Sequence, residues 1–256
     1  MSQALIGSTG FVGSNVLRCA AFDDRYDSSN IESIRGRRYE LLVCAGARAE
    51  KWRINADPER DAAELERLRG ALAAVEADRL LLVSTVDVYP EPAGVDEESP
   101  IDVDALSPYG RHRLELERWC ASRFDTLVVR LPGLFGPGLK KNLVYDLLHD
   151  HRVEDVDPAG RFQLYDVRGL WDTARIARRA GLRLLNVTAE PVSAGEVAHT
   201  VFDRTLPPRT GKAARYDVRS RHAELFGGRD GYLVGRDETL ASLSRFVTEE
   251  RRGRAA

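Results

Sequence analysis

The spacing of glycines near the N-terminus constrains the fold more than any other feature of the chain. The short apolar run Ala4–Ile6 leads into Gly7, and Gly10 and Gly13 follow at intervals of three residues. From Phe11 to about Phe22, apolar residues recur at helical spacing. This order predicts a strand, a tight turn and a helix, which is the context that a dinucleotide-binding glycine motif requires.

Each glycine has a separate physical role in this prediction. Gly7 lets the backbone turn without a Cβ clash, Gly10 lets a pyrophosphate approach the backbone, and Gly13 lets the helix lie against the strand. Amide groups and the positive dipole end at a helix start favour a phosphate. We therefore expect cofactor contacts from the turn and the first helical turn, at Gly7, Thr9, Gly10, Phe11, Val12 and Gly13. A glycine-rich turn without a ligand is the alternative.

The composition excludes several classes of protein. The 256 residues are 43% hydrophobic and 30% charged, with a net charge of −2, so no charge excess points to nucleic acid or an anionic membrane. No apolar run approaches the roughly 18 residues of a membrane span, and the N-terminus does not resemble a signal peptide. Cys19, Cys44 and Cys120 match no metal spacing and are typical of a reducing compartment. We expect a cytoplasmic globular protein without a bound metal.

Short apolar runs alternate with helical stretches along the chain. The predicted strands are Ala4–Ile6, Leu41–Cys44, Leu80–Val83, Leu127–Leu131 and Leu184–Val187. The predicted helices include Asp57–Ala77, Pro108–Phe124, Leu139–His149, Gly169–Ala180, one opening at Ser193, and Arg236–Arg251. Because most of the strands are continuously apolar, they should be covered on both faces. The alternation predicts an α/β fold with a doubly wound parallel sheet.

The second strand should lie within Phe22–Ser29, and the residues after it decide which cofactor fits. Asp27, twenty residues after Gly7, could accept a hydrogen bond from a ribose hydroxyl. The polar group Ser28, Ser29 and Asn30, with Arg25 nearby, could instead surround a 2′-phosphate. A plain polar loop is the third interpretation, so both NAD and NADP remain open.

The composition of the chain changes after Leu131, where proline and glycine become frequent. The turn-rich segment Pro132–Gly138 marks the exit from the nucleotide-binding half. We predict a cofactor-binding core at residues 1–135 and a small substrate-binding region at 136–256, with 183–204 returning to the sheet. A loop is predicted at Pro207–Lys212.

Hydroxyl groups follow the strand Leu80–Val83 and precede a helix that carries a tyrosine. Thr85 lies at the carboxyl end of this parallel strand, where open α/β sheets bind ligands. Tyr109 and Arg113 are four residues apart and share a helix face. A tyrosine pKa near 10 is too high for a base at neutral pH, and we expect Arg113 to lower it. Tyr109 is the predicted acid or base, and Thr85 would orient the substrate oxygen.

Structural roles compete with these assignments. Thr85 could simply end a strand, and Tyr109 could pack its ring at a helix start. Arg113 could pair with Glu117, four residues on. Asn142 could cap a helix rather than contact a substrate.

Taken together, the motifs resemble the extended short-chain dehydrogenases, the NAD-dependent epimerase/dehydratase group that acts on nucleotide sugars. The resemblance covers nearly the whole chain and follows the family's order. Its parts are the glycine motif, Thr85 four residues before Tyr89, Tyr109 of Y-x-x-x-K, the segment Arg130–Pro137, Asn142, and Asn186-Val187 with Ser193–Glu196.

The resemblance implies further contacts. It implies a Rossmann fold, an NAD or NADP cofactor contacted also by Ala45, Gly46, Ala47, Ser84 and Pro132, and a nucleotide-linked sugar as substrate. Substrate contacts are implied for Asp87, Asn142 and Arg168. A homodimer through the helices at Asp57–Ala77 and after Pro108 is also implied, although those helices carry many charges.

One departure from the family is serious, because Arg113 stands where the family has lysine. Arginine stays charged and could still hold the nicotinamide ribose, but it cannot lose a proton in a relay. The chain is therefore predicted to be an oxidoreductase or epimerase/dehydratase with an altered relay. The main alternative is a dinucleotide-binding sensor or pseudo-enzyme without turnover. A reductase for a smaller carbonyl compound is a third possibility, since 256 residues is short for the family.

Overall fold

The computed structural model describes residues 2–209 and 213–255, so the last three residues of the predicted Pro207–Lys212 loop lie outside the described residues. The chain forms two compact units that interleave in sequence. Unit 1 comprises 1–91, 99–131 and 170–185, and unit 2 comprises 92–98, 132–169 and 186–256. The predicted division into a cofactor core at 1–135 and a substrate region at 136–256 concerns function and stays a prediction.

A six-stranded sheet organises unit 1. Its strands are β1 (Gln3–Ile6), β2 (Asp24–Tyr26), β3 (Leu41–Cys44), β4 (Leu80–Thr85), β5 (Thr126–Leu131) and β6 (Leu184–Asn186). Their spatial order is β6-β5-β4-β3-β1-β2. β1 pairs in parallel with β2 and β3, and β4 pairs in parallel with β3 and β5.

Five helices connect these strands. They are α1 (Phe11–Cys19), α2 (Lys51–Ala56), α3 (Pro58–Leu72), α4 (Pro108–Arg123) and, after a segment of unit 2 that carries α5 (Leu143–His149), α6 (Leu170–Arg179). Because side chains alternate along a strand, each sheet face presents its own apolar set. Leu42, Leu80 and Val128 pack with residues of α3 and α4 such as Leu68 and Leu116.

The other sheet face is covered by a different helix. Leu81 and Leu127 line a cavity together with Trp171 and Ala174 of α6, and the Trp171 ring meets Phe22 edge-on at 5.6 Å. Helices therefore cover both faces of a parallel sheet, which confirms the predicted doubly wound Rossmann-type fold.

Two predicted helices end earlier than their sequences indicate. α3 stops at Leu72 rather than Ala77, because Glu76–Ala77 instead forms a short parallel pair with Arg38–Tyr39. α1 stops at Cys19, and Phe22 is buried beyond it. The start of α3 is as predicted: Asp57 caps it by accepting a hydrogen bond from the Arg60 amide, with Pro58 in the first turn.

Unit 2 contains α5, α7 (Ala194–Phe202), α8 (Arg236–Ala255) and three short strand pairs. Gly133–Phe135 pairs in parallel with Leu164–Asp166, Arg161–Phe162 pairs antiparallel with Val192–Ser193, and Ala93–Val95 pairs in parallel with Asp217–Val218. Its core joins Phe135, Val144, Val197 and Phe246. Within the described ranges, we find no helix long and apolar enough to cross a membrane.

Candidate active site

The turn between β1 and α1 leaves no space for side chains at two of its three glycines. Gly7 has a φ of +85°, and a Cβ there would lie 2.3 Å from the carbonyl oxygen of Ala45. A Cβ on Gly13 would lie 2.1 Å from the carbonyl oxygen of Gly7. Glycine is therefore needed at both positions. Gly10 is exposed. Its amide donates a hydrogen bond to the carbonyl oxygen of Gly7, which closes the turn between them.

α1 begins without a side-chain cap. Gly10 occupies the N-cap position, and the first turn contains no acidic residue that would compete with an anionic ligand. Thr9 and Gly10 are exposed, while Phe11 and Val12 are half-buried. Since the first amides of a helix and its positive dipole end bind phosphate groups, this turn fits the pyrophosphate of a dinucleotide.

The loop after β3 lies beside the glycine turn. The Ala45 amide donates a hydrogen bond to the Ile6 carbonyl at 2.9 Å, and a Cβ on Gly46 would lie 2.9 Å from a methyl carbon of Ile6. Ala47 packs, partly buried, against the core. Two neighbouring strands thus place both predicted cofactor loops together.

The segment after β2 is a compact polar turn built around Asp27. One carboxylate oxygen of Asp27 accepts hydrogen bonds from the Ser29 hydroxyl at 2.6 Å and the Ser29 amide at 2.8 Å. The side chain of Asn30 accepts from the Asp27 amide. These hydrogen bonds from Ser29 hold the pKa of Asp27 below its ordinary value. The Ser28 carbonyl accepts from Arg67, so both a carboxylate and a cation lie at this position.

Tyr109 and Thr85 are brought together by a close approach between α4 and the loop after β4. A Cβ on Gly110 would lie 2.3 Å from the Asp87 carbonyl oxygen, so the glycine after Tyr109 permits this approach. The Tyr109 amide donates to the side chain of Asn55 at 3.0 Å. Tyr109 is 5% exposed, and the Thr85 side chain is one of the groups that act on the pKa of its phenol.

Arg113 is buried in an ion pair with Asp61. Its two terminal nitrogens donate to the two carboxylate oxygens of Asp61 at 2.9 and 3.1 Å, and one also donates to the Arg48 carbonyl at 2.6 Å. Nδ1 of His112 lies 2.8 Å from Asp61 as well. The alternative pairing of Arg113 with Glu117 is wrong, because Glu117 pairs elsewhere. The ribose contact of Arg113 stays a prediction, with a side chain only 3% exposed.

The pKa of Tyr109 departs from our expectation in its net direction. Burial raises this pKa, because the phenolate would lose its hydration. Arg113, with its guanidinium carbon 4.9 Å from the ring centroid, lowers it, as do the Thr85 hydrogen bond and Lys51, whereas Asp87 raises it. The net result is a pKa above the ordinary tyrosine value. The expectation that Arg113 makes the phenol more acidic is correct only as one opposing contribution.

Lys51 is a charged group near Tyr109 that sequence-based reasoning did not identify. It opens α2, and its ammonium lies 2.7 Å from a carboxylate oxygen of Asp87. The other Asp87 oxygen lies 3.5 Å from the Thr85 hydroxyl. The signal in the sequence was weak, since Lys51 sits in a polar stretch after β3. Only the parallel order of β3 and β4 indicates that the two following loops meet.

Ser84 belongs to a buried network rather than to an open pocket. Its hydroxyl donates to Glu117, and Glu117 also accepts from Arg130, with the closest contact at 2.6 Å. Arg130 donates further to the Tyr89 hydroxyl at 2.8 Å. Ser84, Glu117 and Arg130 thus join β4, α4 and β5. The cofactor contact of Ser84 stays a prediction.

Three other predicted site residues lie in unit 2. Pro132 is half-buried immediately after β5. Asn142 caps α5, accepting hydrogen bonds from the amides of Val144 and Tyr145, so the capping role is observed. Arg168, for which a substrate contact was implied, is paired with Asp166 at 2.6 Å and Glu249 at 2.8 Å, and these carboxylates neutralise its charge. Their substrate contacts stay predictions.

A family model supports the assignment that the fold and glycine turn indicate. The model of the NAD dependent epimerase/dehydratase family matches residues 24–153. The chain belongs to this family, and its relatives in it are enzymes. No curated protein sequence matches the chain.

Solved structures share the fold over nearly the whole chain. A dTDP-4-dehydrorhamnose reductase from Clostridium acetobutylicum is 17% identical, with a TM-score of 0.76 over 98% of this chain and 100% of that one. RMD from Pseudomonas aeruginosa, complexed with NADPH, is 18% identical, with a TM-score of 0.73 over 98% of this chain and 100% of that one. A dTDP-glucose 4,6-dehydratase double mutant from Streptomyces venezuelae with NAD bound is 17% identical, with a TM-score of 0.73 over 100% of this chain and 98% of that one. At these identities the likeness establishes the fold.

Proposed function

We propose that this protein is an NAD(P)-dependent epimerase/dehydratase or oxidoreductase that acts on a nucleotide-linked sugar. The observation that carries the proposal is the buried Tyr109 ring, which has the Arg113 guanidinium 4.9 Å from its centroid. Thr85, which also acts on the Tyr109 phenol, ends β4 at its carboxyl end, in the same unit as a glycine turn that fits a pyrophosphate. Neighbouring structures with NAD or NADPH bound support the choice of cofactor.

The reaction requires a proton acceptor at the substrate hydroxyl. Tyr109 would exchange this proton at its phenol oxygen, as the base when it is ionised and as the acid in the reverse direction, for which its raised pKa favours the protonated form. Thr85 would hold the same substrate oxygen by a hydrogen bond. When bound, the nicotinamide ring would supply the hydride acceptor or donor. Asp87 would contact the substrate from the loop that follows Thr85.

Lys51 would supply the mobile proton that Arg113 cannot. The side chain of Lys51 is 45% exposed, so its ammonium can exchange protons with water, whereas Arg113 keeps its charge. Lys51 also acts on Tyr109 electrostatically and contacts Asp87 directly. In this proposal Arg113 provides fixed positive charge and Lys51 provides the exchangeable proton.

Asp27 favours NAD within the proposed function. Its carboxylate, whose pKa Ser29 lowers, follows β2 as the ribose-binding acid of Rossmann folds does, and it would repel a 2′-phosphate. Arg67, which donates a hydrogen bond to the Ser28 carbonyl, lies nearby, and its positive charge would instead favour the 2′-phosphate of NADP. We expect NAD to bind more tightly than NADP, and titration of both cofactors measures the difference.

The remaining parts of the proposal concern location and assembly. Free thiols at Cys19, Cys44 and Cys120 support a cytoplasmic location. The partner would be a small-molecule substrate, without nucleic acid or membrane. A homodimer through α3 and α4 also remains a prediction.

The substitution Tyr109→Phe tests the function. We expect the variant to bind the dinucleotide as the parent does but to lose at least about 100-fold in kcat, because general acid–base catalysis contributes that much. UDP-glucose and dTDP-glucose are the first substrates, and nicotinamide absorbance with product chromatography follows turnover. Tyr39→Phe is the control, since it removes another buried tyrosine hydroxyl, bonded to Asp24.

The outcomes separate the competing functions. Full turnover by Tyr109→Phe would remove the proposed mechanism. A parent protein that binds dinucleotide tightly but turns over none of the sugar nucleotides would support the sensor. Turnover of a small carbonyl compound alone would support the third alternative.

A further inference from the structure

A cavity lies at the end of the sheet that is opposite to the glycine turn. The glycine turn follows the carboxyl end of β1, whereas the cavity lies at the amino ends of β3, β4 and β5, beside α6. Its volume is about 130 Å³, well above the ~15 Å³ that one water molecule needs. All the lining residues belong to unit 1.

The inner wall of the cavity is apolar. Leu41, Leu81 and Leu127 come from the sheet, and Trp171 and Ala174 come from α6. Trp171 is half-buried, so part of its indole remains open to the cavity. An aromatic side chain at the wall can contact the apolar or planar part of a ligand.

The outer wall contains four arginines and one carboxylate. Arg183 pairs with that carboxylate, Asp125. Arg175 pairs with Asp172 at 2.9 Å, in a surface ion pair. Arg79 and Arg178 have no ion pair with any residue in 2–209 or 213–255. Positive charge therefore exceeds negative charge around the cavity.

The arginines repel one another. Burial, followed by the charges of Arg79, Arg175 and Arg179, holds the pKa of Arg178 below the ordinary arginine value. The dipole of α6 accounts for Arg178 and Arg179, which lie in its last turn. It does not account for Arg79 or Arg183, which precede β4 and β6 and bring further positive charge to the same point.

We propose that this cavity binds a small phosphate-bearing ligand. Arg79 and Arg178 would contact the phosphate group, and Trp171 would contact the apolar part of the ligand. The planar guanidinium group donates two parallel hydrogen bonds to a phosphate, which suits arginine to this role. This site is separate from the glycine turn and does not depend on the proposed function.

Calorimetric titration with inorganic pyrophosphate tests the proposal. The protein is first incubated with excess NAD, so that pyrophosphate does not compete for the glycine turn. Arg178→Gln and Arg79→Gln remove the two arginines without an ion pair, and we expect each to weaken binding at least about 10-fold. Arg179→Gln is the matched control, because it removes one charge from the same helix turn without altering the cavity lining. The part of the tryptophan fluorescence change that is lost in Trp171→Phe gives a local second readout, because the chain also contains Trp52 and Trp119.

Each outcome decides the proposal. Pyrophosphate binding that is lost in Arg178→Gln and Arg79→Gln but kept in Arg179→Gln supports it. Absence of binding, or equal weakening by all three substitutions, overturns it, because equal effects indicate a diffuse surface charge. A parallel titration with phosphatidylserine vesicles identifies the source of the phosphate. Arginine-dependent vesicle binding without pyrophosphate binding would overturn the small-ligand assignment.

Discussion

Lys51 and Arg113 are two cations that act on Tyr109, and they differ in how they are held. Arg113 is 3% exposed and fixed by Asp61. Lys51 is 45% exposed and contacts Asp87 at the end of a flexible side chain. A guanidinium fixed by two hydrogen bonds serves as constant charge, whereas an ammonium near solvent can release and regain a proton. The family lysine's two tasks are therefore divided between two residues in our proposal.

The pH dependence of turnover tests this division. Burial raises the pKa of Tyr109, and Lys51 is one of the groups that lower it. Lys51→Met should therefore move the rise of kcat/KM to higher pH and lower kcat/KM at neutral pH. Lys51→Arg should keep the position of this rise but lower the maximum rate, because arginine cannot exchange the proton.

The control for this measurement is Arg118→Met, which removes an exposed charge elsewhere on α4. It should leave the pH profile unchanged. An unchanged profile in Lys51→Met as well would show that Lys51 has no influence on the titrating group. An unaltered maximum rate in Lys51→Arg would leave Lys51 with charge alone.

At the scale of the element, α5 begins at a residue in an unusual conformation. Asn142 has φ 119° and ψ −179°, a region that is essentially restricted to glycine. Its side chain accepts from the amides of Val144 and Tyr145, and its Nδ2 donates to the Leu134 carbonyl at 2.7 Å. Three hydrogen bonds thus hold a backbone that would otherwise relax. This explains why Asn142 is both a cap and a link to the preceding strand pair.

Substitution at Asn142 should separate the hydrogen bonds from the strain. Asn142→Ala loses the cap and the bond to Leu134 and should destabilise the protein by about 2 kcal/mol. Asn142→Gly loses the same bonds but relieves a strain of about 1–3 kcal/mol. We expect glycine to be more stable than alanine by about 2 kcal/mol in urea denaturation.

Ser193 provides the matched comparison, because it caps α7 with an ordinary φ of −80°. Glycine normally exceeds alanine at an N-cap by less than about 1 kcal/mol. The difference in the free energy of unfolding between Ser193→Gly and Ser193→Ala should thus be smaller than the same difference between the glycine and alanine variants at residue 142. Equal gaps at the two positions would show that the Asn142 backbone is unstrained.

At the scale of the whole molecule, each unit contains a carboxylate paired with arginine and held at a low pKa. Burial alone would raise the pKa of Asp61 and of Asp166, but hydrogen bonds from Arg113 and Arg168, respectively, lower both below the ordinary value of 3.8. A group with a depressed native pKa stabilises the fold above its unfolded pKa. That stabilisation is lost as pH falls through the native pKa. Both units should therefore lose stability below about pH 4.

Asp61→Asn tests the contribution of the pair in unit 1. Loss of one partner leaves the Arg113 charge buried and should cost about 3 kcal/mol at pH 7. The difference from the parent protein should shrink below about pH 4, where Asp61 of the unfolded parent takes up a proton, and it should vanish below the depressed native pKa of Asp61. Asp155→Asn, which breaks an exposed pair with Arg152, should change stability far less than Asp61→Asn does. A pH-independent loss in Asp61→Asn would contradict the assigned linkage.

The sequence by itself determined the fold and the turn that fits a pyrophosphate. Leu41–Cys44 forms a strand with the predicted bounds, and Gly7 and Gly13 are needed where their spacing indicated. These signals are local, since apolar periodicity and the absence of a Cβ act within a few residues. The tertiary structure alone decided which charges meet. Arg113 pairs with Asp61, 52 residues earlier, and Lys51 pairs with Asp87, 36 residues later. Long charged side chains reach many positions, and only the packed chain selects among them and sets the burial that raises the pKa of Tyr109.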